Sequence, residues 1–86
     1  MDVGQVKAQI AAGTRDADIA IGLLAKVTDT IDDALGGAQH TTHDSQHPKV
    51  TGGLAKLDQA KQDIERIVNL LSTSIQSAEA YVRRIG

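Results

Sequence analysis

The sequence predicts an all-α protein, an antiparallel two-helix hairpin of coiled-coil type that dimerises into a four-helix bundle. Three observations carry this. Two long stretches place their apolar residues at alternating steps of three and four, one cluster of Gly, Pro and His separates them, and the apolar residues are almost all Ile, Leu, Val and Ala, with one Tyr and no Phe or Trp. A strand would need a period of two, and neither stretch shows it. A chain of 86 residues has room for one domain and one small core, so residues 1–86 are read as a single hairpin.

The first helix is expected over about residues 2–35. Its stripe runs Val3, Val6, Ile10, Gly13, Ala17, Ala20, Leu24, Val27, Ile31 and Ala34, all apolar or glycine. The connector, about residues 36–48, opens with Gly36-Gly37 and ends at the single proline, Pro48. Either glycine suits the left-handed residue that ends a helix, and Pro48 suits a first helical turn, where its missing N–H has no partner to lose. Asp44, Ser45 and Thr51 are the candidate caps of the second helix.

That second helix is expected over about residues 49–85. Its stripe is Val50, Leu54, Leu57, Lys61, Ile64, Val68, Leu71, Ile75, Ala78, Val82 and Ile85, with Lys61 the one polar member. Each helix would be roughly 50 Å long at 1.5 Å per residue. If the chain doubles back, opposed residues have numbers adding to a constant, and 88 pairs every stripe position from Val3 with Ile85 to Ala34 with Leu54. Small residues then face large ones, as at Gly13 with Ile75 and Ala17 with Leu71, which fills facing layers without voids. Lys61 would lie opposite Val27 with its ammonium reaching toward Asp58 or Glu65.

A lone hairpin leaves most of each helix in water, so its remaining apolar residues matter. With Val3 as heptad position a, Ile19 and Leu23 fall at c and g of the first helix, and Ile67 and Leu70 at g and c of the second. In an antiparallel pair the g positions of both helices flank one side, which makes these four residues an exposed apolar patch, with Ala60 and Tyr81 further along. Four large aliphatic side chains on a small protein imply a protein partner, either a second copy or another helical protein. Ile21, on the opposite flank, is read as widening the core stripe.

Charged residues make up 23% of the chain with signs interspersed, and the formal net charge of −2 offers no basic surface for nucleic acid. There is no cysteine, hence no disulfide framework and no thiolate metal site. No segment approaches the 18 or so uninterrupted apolar residues of a membrane span, and the N-terminus lacks the basic stretch and apolar run of a cleavable signal. The expectation is a soluble protein, cytoplasmic or secreted without a cleavable signal.

No catalytic constellation is visible, and the expectation is a non-enzyme without cofactor. Ser72, Thr73, Ser74 and Ser77 lie on a helix far from the histidines, and two helices enclose no pocket for a triad. Asp29, Asp32 and Asp33 read as a solvated acidic face. The sharpest local feature is His40, His43 and His47, with Asp44, in the connector. Their spacing suits a zinc or nickel site if the segment is helical, although Pro48 disfavours helical dihedrals at His47. A metal-binding hairpin is therefore the alternative reading, beside a plain polar loop.

The stretches Ser45-Gln46-His47-Pro48-Lys49-Val50 and Ala80-Tyr81-Val82-Arg83-Arg84-Ile85, the size and the lack of cysteine resemble the small helical-hairpin proteins of the WXG100 (ESAT-6-like) group and related actinobacterial proteins encoded near secretion systems and toxins. The chain has no tryptophan for that group's turn signature, and Ile85 stands where its C-terminal export signal has an acid. The resemblance implies a dimeric hairpin acting as partner, adaptor or chaperone of a larger protein.

Overall fold

The computed structural model describes residues 2–42 and 48–86, without the side chains of 38–42. It contains two helices, α1 over Val3–Thr42 and α2 over Pro48–Ile85, packed side by side as an antiparallel hairpin. The rod measures 63 × 16 × 15 Å. Its length is that of α1 itself, since 40 residues at 1.5 Å each span about 60 Å.

Asp2 starts α1. Its Oδ1 accepts the backbone N–H of Gln5 at 2.7 Å and its carbonyl accepts that of Val6 at 3.2 Å, so two amides of the first turn find partners. The helix then runs past the expected end near residue 35, through Gly36 and Gly37, to Thr42. Neither glycine takes the left-handed conformation. Among the described residues the only positive φ is that of Gly86, at 132°. Stopping at Gly36 would forfeit the hydrogen bonds of almost two further turns, whereas each glycine costs about 1 kcal/mol in a helix interior. One consequence is that Asp29, Asp32 and Asp33 stand well inside α1, away from the unfavourable field of its last turn.

At the start of α2, Pro48 occupies the first helical position, where it removes no helical hydrogen bond. Thr51 is inside the helix rather than its cap, with Oγ1 donating to the Pro48 carbonyl at 3.1 Å. Asp44 and Ser45, the other cap candidates, lie outside the described residues. The helix passes through Gly52-Gly53 and ends with Arg83 and Arg84 in its last turn, where cations complement the dipole.

The stripe expected for α2 is the one that packs: all eleven positions from Val50 to Ile85 are half-buried. On α1 the packed stripe differs from the expected one. Lys7, Ile10, Thr14, Ala17, Ile21, Leu24, Thr28, Ile31 and Leu35 are half-buried, along with Val6 and Ala20, while Val3, Gly13, Val27 and Ala34 face solvent. The helix is turned by about 50° from an a/d to an a/e seam, at 100° per residue. Bulk explains the choice. The turn puts Ile21 and Leu35 against α2 in place of Gly13 and Ala34, and the two threonines it brings in present methyl groups. Thr14 satisfies its hydroxyl on the carbonyl of Ala11 at 3.0 Å.

Taken in order, the two half-buried stripes pair residues whose numbers add to about 92 rather than 88, as in Ile21 with Leu71 and Leu24 with Val68. The cross-helix ion pair agrees. Lys61 Nζ lies 2.7 Å from Asp32 Oδ1, so the ammonium crosses to the other helix instead of settling on Asp58 or Glu65 of its own. A Cβ added to Gly86 would stand 3.7 Å from Lys7 Nζ, again at the same register.

No residue among those described is fully buried. The radius of gyration, 19.2 Å, compares with about 12 Å for a compact domain of this length. The accessible surface of 6226 Å² exceeds by roughly 1,400 Å² that of a compact monomer of 9.0 kDa.

Candidate functional site

A helix whose stripe faces its partner exposes whatever apolar residues lie off that stripe. On α1 these are Val3, 49% exposed in the first turn, and Ile19, Leu23 and Val27, a single ridge at steps of four, exposed to 56%, 56% and 45%. On α2 they are Ile67 at 42% and Leu70 at 64%, with Tyr81 at 41% three to four turns toward the C-terminus. All five side chains expected at an interface, Ile19, Leu23, Ile67, Leu70 and Tyr81, are thus solvent-facing. Val27 is the addition. It was assigned to the seam from its apolar spacing, and the rotation of α1 turns it out beside Leu23. The same rotation draws Ile21 into the seam, where it widens the stripe as expected, and Ala60 is half-buried.

The ridge and the α2 pair occupy the middle of the rod. At the observed register Ile67 stands at the height of residue 25 and Leu70 at that of residue 22, level with Leu23. Charged residues continue the heptad rows that carry the apolar centre. Heptad position c carries Lys26 and Asp33 on α1, and Lys56 and Asp63 on α2. Asp63 accepts from Gln59 Nε2 at 3.0 Å and from Arg66 at 3.5 Å.

The grooves between the helices are open and shallow. One of about 240 Å³ is lined by Ile10, Gly13, Thr14, Ala17, Ser74, Ile75 and Ala78, none of which titrates near neutral pH. A second, of about 450 Å³, carries one carboxylate from each helix, Asp29 and Glu65. The hydroxyls of Thr73 and Ser74 donate to the Asn69 and Leu70 carbonyls at 2.9 and 2.8 Å, which ties both side chains to their own helix. Among the described residues the one group with a shifted titration is Lys61. Its hydrogen bond to Asp32 and the charge of that carboxylate raise it above its ordinary 10.5, aided by Glu65 and Asp58 and opposed by partial desolvation.

Of the proposed metal ligands, His43 and His47 lie outside the described residues, and the side chain of His40 is likewise not described. Among the described residues no three His, Cys, Asp or Glu side chains stand together as potential ligands. No described helix is long and apolar enough to cross a membrane. Comparisons with protein-family models, with curated proteins and with solved structures give no match to this chain.

Proposed function

We propose that this hairpin is a non-enzymatic protein–protein interaction module. It self-associates, or acts as partner, adaptor or chaperone of a larger secreted or toxin protein, through Ile19, Leu23, Ile67, Leu70 and Tyr81. One observation carries the reading: five large aliphatic side chains, the four inner members of that set and Val27, are exposed near the middle of the rod, and no described residue is fully buried. Contiguous apolar surface of this kind is kept where a partner covers it. The surplus accessible area is of the size that a stable interface removes, about 800 Å² per partner or more. Pairing with a larger secreted or toxin protein is what the resemblance to the WXG100 group adds.

The test is the size of the protein in extracts of the cells that make it. The chain elutes well above 9.0 kDa, and the double substitution Leu23→Asp with Ile67→Asp elutes as a helical monomer. Elution of the unmodified chain as a monomer would remove the basis for the reading.

A further inference from the structure

We propose that α1 has two seatings on α2, the observed one and one rolled by about 50° and slid by about one turn, and that the Lys61–Asp32 ion pair is the latch that holds the first. The proposal goes beyond the interaction reading and does not depend on it. Three observations lead to it: two stripes on one helix, an open groove beside the seam, and an ion pair that only one of the two registers allows.

Either seating keeps Ile10, Ala17, Leu24 and Ile31 in the seam, because these four belong to both stripes of α1. The observed seating adds Ile21 and Leu35 with Thr14 and Thr28, whereas the rolled one adds Gly13, Val27 and Ala34 and completes the burial of Val6 and Ala20, which are half-buried already. Bulk favours the first and freedom from polar atoms the second, so apolar area leaves the two close. Packed interfaces of this kind switch between discrete arrangements rather than deform continuously. There is also room for the roll. On the side toward which α1 would turn lies the groove of about 240 Å³, walled by Gly13 and Ala17 of α1 and by Ile75 and Ala78 of α2, and a Cβ built on Gly13 meets nothing within 4 Å. With paired numbers adding to 88, Gly13 lies opposite Ile75 and that side chain fills the groove.

The ion pair separates the two seatings. In the observed one Lys61, the polar member of the α2 stripe, stands opposite Ile31 and reaches the adjacent Asp32, with Nζ 2.7 Å from Oδ1. Rolling turns Asp32 about 50° further from α2, and the slide leaves it five residues, about 7.5 Å along the axis, from the new height of Lys61. The ammonium then sits beside Val27, with Asp58 and Glu65 of its own helix as its carboxylate partners. The two seatings present different surfaces. In the observed one Ile19 lies on the far side of α1 from its seam, while rolling swings Ile19 and Leu23 toward the flank of Ile67 and Leu70 and takes Val27 inside. The latch thus sets how contiguous the exposed apolar surface is.

Methyl NMR of the purified chain tests this, because the two seatings bring different methyl groups together. The unmodified chain is expected to show contacts of Ile21 with Leu71 and of Leu35 with Leu57, whose numbers add to 92. Lys61→Met removes the latch and leaves the α2 stripe wholly apolar. It shifts the balance at least about fivefold toward contacts of Ala20 with Val68 and of Ala34 with Leu54, whose numbers add to 88. Asp32→Asn, which leaves the stripe untouched, shifts it the same way by up to about fivefold and carries the test if Lys61→Met does not fold. Val27→Asp is tolerated where Val27 is 45% exposed and penalised where it is in the seam. Added to Lys61→Met, it restores the contacts of Ile21 and Leu35. An unchanged first set of contacts in both single variants, with only a lower melting temperature, would overturn the latch. Neither result alters the elution test of the interaction reading.

Discussion

Val27 loses the seam place that its spacing gives it while Ile21 moves from the edge of the stripe into the seam, which shows what decides a seam at the level of single residues. Val27 belongs to the unbroken apolar heptad, yet Ile21, together with Leu35, offers more area to bury, and area outweighs an uninterrupted pattern. Ile21→Ala is therefore expected to lower the unfolding free energy by about 1–2 kcal/mol whatever the protein concentration. Leu70→Ala, at a side chain 64% exposed, costs the dissociated chain less than about 0.5 kcal/mol and acts through association. Urea titrations at two protein concentrations separate the two effects. Lys61 gives a pH signature of defined sign. Its titration is raised in the folded chain, so its contribution is fully present below the ordinary 10.5 and is lost as pH climbs through the higher folded value. Thermal melting should fall on the alkaline side above about pH 10.5, and Lys61→Met should lessen that fall. The lysine was legible as the odd member of its stripe. Its partner was not, because Asp32 comes within reach only once α1 has turned.

At the level of elements, α2 was readable in full and α1 only in part, for a physical reason. Around α2 a single stripe is both apolar and bulky, so nothing competes with it. Around α1 two stripes compete, one free of polar residues but carrying Gly13, Ala20 and Ala34, the other bulkier but carrying Lys7, Thr14 and Thr28. Spacing rewards the first and packing rewards the second. Helix ends divide the same way. The Asp2 cap of α1, set by its bond from the Gln5 amide, was not read from the apolar spacing, and Asp2→Ala should cost about 1 kcal/mol, seen as lost amide protection in the first turn of α1. Gly36-Gly37 pointed to a helix end and instead lies inside α1, whereas Gly52-Gly53 lies inside α2 within its expected bounds. A Cβ at Gly36 or Gly52 meets nothing within 4 Å, so Gly36→Ala and Gly52→Ala should each stabilise the hairpin by about 0.5–1 kcal/mol, measured by circular dichroism melts.

For the molecule as a whole, the proposed self-association ties stability to protein concentration. With no described residue fully buried, the rod has little to hold it folded alone, so its melting temperature is expected to rise with protein concentration. Leu23→Asp with Ile67→Asp should abolish that dependence. That these residues are exposed was legible from the sequence because it depends on which residues fall off the stripe, and the 50° turn of α1 adds Val27 to them while Ile19 and Leu23 stay exposed. The glycine pairs, finally, make the two ends of the rod unequal. One end is fastened by the Asp2 carboxylate and by Arg83 and Arg84. At the other, Gly36-Gly37 and Gly52-Gly53 fall within about a turn of each other in height, so both strands of the hairpin lose side-chain contact at the same level. Breathing of the fold therefore begins there, and deuterium should enter the backbone on either side of the connector first and progress toward the termini, like a zipper with a worn slider at one end.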